Sequence, residues 1–173
     1  EYVSNETLPF LHSLGIRPHD WGAASINHLQ VTAPDGTSLE MPPDLGGYGI
    51  SRYVFDEKLL KTAREAGAVC LTGTSVEDVA FDGDGFTVTL SDHTTRRAAY
   101  VVGAYGKRAK LDKQLNRDFV NSRSPYVGVK YHIRTDFPHN RIALHNFRDG
   151  YCGLSAVEGG KYNLCYLTTR ENV

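Results

Sequence analysis

A chain of 173 residues, 40% hydrophobic and 23% charged with a formal net charge of −1, is long enough for one sizeable core or for pieces of two domains. That charge gives no electrostatic reason to expect a nucleic acid or an anionic membrane as partner, and the longest apolar runs, such as Ala98 to Ala104, fall far short of the ~20 residues that span a bilayer. Cys70, Cys152 and Cys165 are odd in number and show no Cys-x-x-Cys spacing, so they read as three buried, reduced thiols; with no signal-peptide pattern, the expected setting is cytoplasmic.

Ser4 to Gly15 reads as a short helix, with Leu8, Leu11 and Leu14 three apart and Gly15 as its stop. Ser25 to Ala33 and Thr37 to Met41 flank the turn Pro34-Asp35-Gly36 and make a hairpin, which Pro42-Pro43 breaks off. A helix follows, capped by Asp56, with Leu59, Leu60, Ala63 and Ala66 as its apolar face and Gly67 just past its end. Val76, Val79 and Phe81 approach Asp82-Gly83-Asp84-Gly85, and Phe86, Val88 and Leu90 leave it with period two, which predicts a second hairpin.

The run Ala98 to Ala104 is too short and too β-branched for a helix. It suits a buried parallel strand with a functional loop, Gly103-Ala104-Tyr105-Gly106, at its carboxyl end. A basic segment, Lys107-Arg108-Ala109-Lys110, leads into a short helix through Leu115. From Ser124 to Thr168 the pattern is all-β, with strands over Tyr126 to Ile133, Arg141 to Phe147, Tyr151 to Val157 and Tyr162 to Thr168. Pairing Glu158 with Lys161 across Gly159-Gly160 sets Cys152, Leu154, Cys165 and Leu167 on one face. The fold class is therefore α+β, with an antiparallel sheet beside part of a nucleotide-binding domain.

The order of parts from Gly46 to Gly106 resembles the middle of an FAD-dependent oxidoreductase of the para-hydroxybenzoate hydroxylase and geranylgeranyl reductase type. Arg52, Phe55-Asp56, Leu59, Gly67-Ala68 and Gly103 to Gly106 stand where that family carries its arginine, its leucine-bearing helix closed by Gly-Ala, and its Gly-Ala-Asp-Gly loop. The resemblance divides the chain into a helix and hairpin over 1–50, a partial Rossmann-like FAD-binding region over 51–118 and a substrate-domain sheet over 119–173. It implies FAD as cofactor, NAD(P)H as a candidate electron donor and a small-molecule substrate. The opening at Glu1 without Met, and the lack of any Gly-x-Gly-x-x-Gly, lead us to expect an excised piece of such a protein.

By resemblance, Arg52 reaches the flavin phosphate or ribityl region, the Val76 backbone faces adenine, and Gly103, Ala104, Tyr105 and Gly106 adjoin the flavin. From the residues alone, Arg52 reads as a surface arginine paired with Asp56 or Glu57, and Val76 as plain packing. Tyr105 departs from the family, which has Asp there and usually Ser at the position of Ala109; tyrosine keeps a donor but loses the carboxylate. Lys107 and Arg108 either hold a phosphate or are solvated. His132 and His145, on neighbouring strands with Lys130, are candidates for the substrate side. The seven histidines lack metal-ligand spacing, so no metal site is expected. The alternative reading is a non-catalytic β-sheet domain that binds a ligand or partner.

Overall fold

The computed structural model describes residues 1–106, 110–122 and 124–172, and Lys107, Arg108 and Ala109, singled out above, lie outside them. In chain order the elements are β1 (Tyr2–Ser4), α1 (Leu8–Ser13), β2 (Ala24–Ile26), β3 (His28–Thr32), β4 (Ser38–Met41), β5 (Gly47–Gly49) and α2 (Arg52–Glu65). These are followed by β6 (Val76–Phe81), β7 (Phe86–Leu90), β8 (Thr95–Ala98), α3 (Lys110–Gln114), β9 (Tyr126–Ile133), β10 (Arg141–Phe147), β11 (Gly150–Val157) and β12 (Lys161–Thr169). The fold is α+β, as the sequence patterning implied. Two compact units are formed, one from Glu1–Ala68 with the chain from Pro125 onward, the other from Val69–Ser124. Thus α2, grouped above with the flavin-binding region, lies in the first unit. No helix among the described residues is long and apolar enough to cross a membrane.

The first unit holds a six-stranded sheet in the order β4-β3-β10-β11-β12-β9 and a three-stranded sheet β1-β5-β2. The four expected strands between Tyr126 and Thr168 are all present, antiparallel along β10-β11-β12-β9, while β3 joins β10 in parallel. The expected hairpin is β3 and β4, with the Asp35 carboxylate accepting the Thr37 N–H at 2.9 Å. Its first strand starts only at His28, because Ala24–Ile26 pairs with β5 instead.

β5 was not anticipated, and its glycines explain its place. A Cβ on Gly49 would fall 1.8 Å from the carbonyl oxygen of Ala156 on β11, so only glycine lets these two strands touch. Between these glycines Tyr48 is fully buried, its hydroxyl 3.1 Å from that of Thr7. Ala24, Ile26, Ala156 and Tyr162 form the core, with Phe137 meeting the Tyr162 ring edge-on at 6.0 Å. Full burial of one side chain the size of Ile26 contributes about 1.5–3 kcal/mol.

The start of α2 differs from expectation. Ser51, not Asp56, is the cap: its hydroxyl accepts the Val54 N–H at 3.1 Å, and the helix takes in Arg52-Tyr53-Val54-Phe55. Three residues of strand-like propensity are helical here because packing outweighs propensity, the Phe55 ring lying 6.2 Å from that of Trp21. Gly67 ends the helix with φ of 92°, as predicted.

The β11–β12 register is also shifted by one. Val157 rather than Glu158 pairs with Lys161, because the connection is a three-residue turn, Glu158–Gly160, in which Gly159 and Gly160 both have positive φ. A one-residue slip reverses facing. Cys152 and Leu154 consequently lie on the face opposite Cys165 and Leu167. Each of the three cysteines is half-buried, not buried.

In the second unit β6, β7 and β8 form an antiparallel meander around the predicted turn, where the Asp82 carboxylate accepts the N–H groups of Asp84 and Gly85. The run Ala98 to Ala104 is not a buried strand: only Ala98 is in a strand, at the end of β8, and Tyr100 and Val102 are 88% and 87% exposed. A parallel strand needs a parallel neighbour, and no described strand of this unit offers one.

Candidate functional site

The second unit carries a groove built from the elements that the sequence marked most strongly. Alternation puts Val79, Phe81, Phe86, Val88 and Ala98 on one face of the meander, with the Phe81 and Phe86 rings 4.9 Å apart. The segment from Val101 to Tyr105 and α3 form the rest of the wall, enclosing about 1160 Å³. α3 is fastened to β6 by the Lys110 ammonium, 3.2 Å from the Glu77 carboxylate, and by the Gln114 amide, which donates to the Glu77 carbonyl at 3.5 Å. Val76, Gly103, Ala104 and Tyr105 line this groove; Gly106 is not among its lining residues.

Two lining residues, Tyr105 and Arg117, meet one carboxylate that is not itself among the lining residues. Asp112 is 4% exposed, and its Oδ1 accepts the Tyr105 hydroxyl at 3.0 Å and lies 3.5 Å from Arg117 Nε. A buried carboxylate needs such partners, since an unpaired one would be strongly penalised. The hydrogen bond to Asp112, then partial desolvation and the carboxylate charge, raise the Tyr105 phenol above its ordinary pKa, with Arg117 acting in the opposite sense. Sequence reasoning passed over Asp112 and Arg117. The available signal was a lone acid between Leu111 and Leu115, in a basic segment seven residues after Tyr105.

The remaining candidates lie in the first unit. Arg52 donates from Nε and Nη2 to both Asp56 oxygens at 2.9 and 3.0 Å, an exposed pair one helical turn apart, and this bond to Asp56 raises the guanidinium pKa. That is the surface pairing that the residues alone allowed. Lys130 pairs with the Glu1 carboxylate. His132 lies opposite Asn163 on β12, whereas His145 lies opposite Cys152 on β11 with Nδ1 3.0 Å from the Thr32 hydroxyl. The expectation that the two histidines sit on neighbouring strands is corrected: β11 and β12 separate them, and strand alternation puts Lys130 and His132 on one face and His145 on the other. The intervening pairs are Leu154–Leu164 and Gly153–Cys165, whose register fixes this parity.

A further contact joins distant parts of this unit. Glu158, in the β11–β12 turn, accepts the Ser51 N–H at 2.8 Å. Burial pushes this carboxyl up, but the bonds from Ser51 outweigh it and hold the group below the ordinary glutamate value, with His132 adding a smaller pull. No group of three or more metal-ligating side chains occurs among the described residues.

No family model matches the chain. Over 165 residues it is 27% identical to digeranylgeranylglycerophospholipid reductase 2 of Methanopyrus kandleri, a match covering 89% of this chain and 41% of that protein. Among solved structures it superposes on a geranylgeranyl bacteriochlorophyll reductase-like protein of Thermoplasma acidophilum with a TM-score of 0.80, at 16% identity, covering 100% of this chain and 47% of that one. PqsL, a probable FAD-dependent monooxygenase of Pseudomonas aeruginosa, gives a TM-score of 0.81 at 17% identity, covering 99% and 51%. The chain thus spans about two fifths of the length of the curated relative. The resemblance first read between Gly46 and Gly106 is met by sequence relatives and by fold.

Proposed function

We propose that this chain is the substrate-domain half of an FAD-dependent oxidoreductase, a reductase or monooxygenase of a hydrophobic or aromatic small molecule, working in the cytoplasm with NAD(P)H as electron donor. The observation that carries the reading is the groove of the second unit, where Val76, Gly103, Ala104 and Tyr105, singled out for flavin contact, line one largely apolar surface.

The groove fits part of a flavin nucleotide. Its volume of about 1160 Å³ is ample beside the roughly 300–1,000 Å³ of ordinary small-molecule pockets. Phe81 and Phe86 offer ring surface, and Tyr105, Lys110 and Arg117 bring polar atoms. No Gly-x-Gly-x-x-Gly turn occurs in these 173 residues, so the glycine turn and helix N-terminus that would cradle the dinucleotide pyrophosphate are not among them, which leaves Arg52 as the candidate phosphate contact here.

A bound flavin supplies the redox chemistry, and the protein supplies placement. In this reading Arg52 exchanges Asp56 for phosphate oxygens, which a planar guanidinium fork matches equally well. The backbone at Val76 and Gly103 to Gly106 lies along the nucleotide, and Tyr105 hydrogen-bonds at its edge. Lys130 and His132 belong to the substrate side of the six-stranded sheet. His145, on the opposite face against Thr32, holds β3 to β10.

Purification of the full-length protein tests this directly. Absorbance in the flavin bands, with micromolar or tighter FAD binding by fluorescence titration and bleaching of the flavin on addition of NAD(P)H, is the expected result. Full-length protein that binds no flavin would overturn the oxidoreductase reading and favour the non-catalytic ligand-binding domain. Flavin binding without reduction by NAD(P)H would overturn the choice of donor alone.

A further inference from the structure

Tyr105 is held at two points. Its ring lies over Gly103, where an added Cβ would fall 2.8 Å from the ring carbon Cε1, so a side chain at residue 103 would displace the ring from this position. Its hydroxyl is fixed to Asp112 Oδ1 at 3.0 Å. In that bond the phenol O–H donates and the carboxylate oxygen accepts. Asp112 is buried, and its other close partner is Arg117, whose side chain is about half exposed.

The direction of that bond determines what Tyr105 offers on its other side. A phenol whose proton is committed to a carboxylate retains lone pairs and has no second proton to give. Tyr105 itself is 40% exposed and lines the groove. Its neighbours there include Val101, Val102 and Leu111, which offer no side-chain hydrogen bond. We propose that Asp112 is a positioning residue that fixes Tyr105 as a hydrogen-bond acceptor in the groove, which therefore favours a ligand presenting a hydroxyl or N–H at that point. A ligand with a carbonyl or phosphate oxygen aimed at the Tyr105 hydroxyl would face an acceptor, lose that hydrogen bond and have to turn to Lys110 or Arg117 for a donor.

The inference rests on the flavin reading above, and FAD is the probe. In the full-length protein, Tyr105→Phe keeps the ring over Gly103 and removes the hydroxyl, and Asp112→Ala removes the group that orients it. Each is expected to weaken FAD binding about fivefold, the worth of one ordinary net hydrogen bond, and to change the visible circular dichroism of bound flavin in the same sense. Because Asp112 acts through Tyr105, the double variant should be no weaker than either single one. Asp112→Asn, which retains a carbonyl acceptor, should recover part of the affinity.

Full-length wild type that fails to bind FAD would overturn the flavin reading itself. If wild type binds FAD and Tyr105→Phe leaves affinity and spectrum unchanged, the acceptor role is wrong; this variant keeps every packing contact of the ring and is the one expected to fold. If Asp112→Ala weakens binding as much in the Tyr105→Phe background as alone, Asp112 acts by supporting the loop and not through the phenol, and the inference fails.

Discussion

The Glu158 carboxylate accepts the backbone N–H of Ser51 at 2.8 Å, joining residues 107 positions apart. One bond therefore ties the β11–β12 turn to the cap of α2. Glu158→Ala leaves that N–H without its partner, and a lost hydrogen bond to a charged acceptor is worth about 1.5–3 kcal/mol. Urea unfolding should show a lower midpoint with an unchanged slope.

The same bond has a pH signature. The folded carboxyl titrates below its ordinary value, so the unfolded chain binds the proton more readily and the contribution is fully present above the ordinary value of 4.5. It is lost as pH falls through the folded-state value. Wild type should therefore lose stability faster than Glu158→Gln on acidification below about pH 4.5, by thermal unfolding across pH 6 to 3. Parallel curves would show that Glu158 carries no linkage.

The sequence pointed to Asp56 as the cap of α2, whereas the helix begins at the Ser51 hydroxyl. Ser51→Ala removes the cap and should cost about 1 kcal/mol. Asp56→Ala removes only an exposed pair one turn apart and should cost less than about 0.5 kcal/mol. Equal losses in denaturant melts would restore Asp56 as the cap.

Gly49 tests close packing between the two sheets of the first unit. A Cβ there meets the Ala156 carbonyl at 1.8 Å, and both partners are strand backbone with no flexible end to move aside. Gly49→Ala should cost at least about 3 kcal/mol, seen as loss of the cooperative transition or as insoluble protein. Gly36→Ala, where an added Cβ has nothing within 4 Å, should stay soluble and folded despite its positive φ.

These examples show what could be read without coordinates. The strands from Tyr126 to Thr168 and the meander around Asp82 were legible because period-two alternation and turn residues are local signals. The register was not, since a Gly-Gly pair serves a two-residue or a three-residue connection and only the wider packing chooses. β5 was invisible as well: two of the three residues of Gly47-Tyr48-Gly49 are glycines, which strands disfavour, and the strand exists because β1 and β2 pair with it while Gly49 admits the Ala156 backbone. At the candidate site the glycine loop was marked by composition, but Asp112 acquired meaning only when the fold put it against Tyr105.

The register makes a chemical prediction for the cysteines. Cys165 lies opposite Gly153, so Cys152 is its diagonal neighbour on the other face of the sheet, with the two side chains pointing apart. Diamide treatment of the folded protein should give no intramolecular Cys152–Cys165 disulfide by peptide mass mapping, whereas the register with both on one face would allow one. Burial also raises the Cys152 thiol above its ordinary pKa, which lowers its thiolate fraction, so it should alkylate more slowly than a free thiol at pH 8.

Arg52 gives the last prediction, because its partner competes with its proposed ligand. Both Asp56 oxygens accept from the guanidinium, at 2.9 and 3.0 Å, in the two-bond geometry that a phosphate would also use. Both side chains are more than half exposed, so the pair is screened and contributes little, and giving it up costs little. If Arg52 moves to an FAD phosphate, Arg52→Ala in the full-length protein should weaken FAD about tenfold, in the range of a hydrogen-bonded charge. Asp56→Ala should strengthen it about twofold to threefold by freeing the guanidinium, the net worth of an exposed pair. Raising salt should narrow the difference between wild type and Arg52→Ala, since it screens the phosphate contact. Fluorescence titrations at two ionic strengths measure all three. An Arg52→Ala protein with unchanged FAD affinity would leave Arg52 as a surface residue paired with Asp56, and the phosphate would have to be held elsewhere.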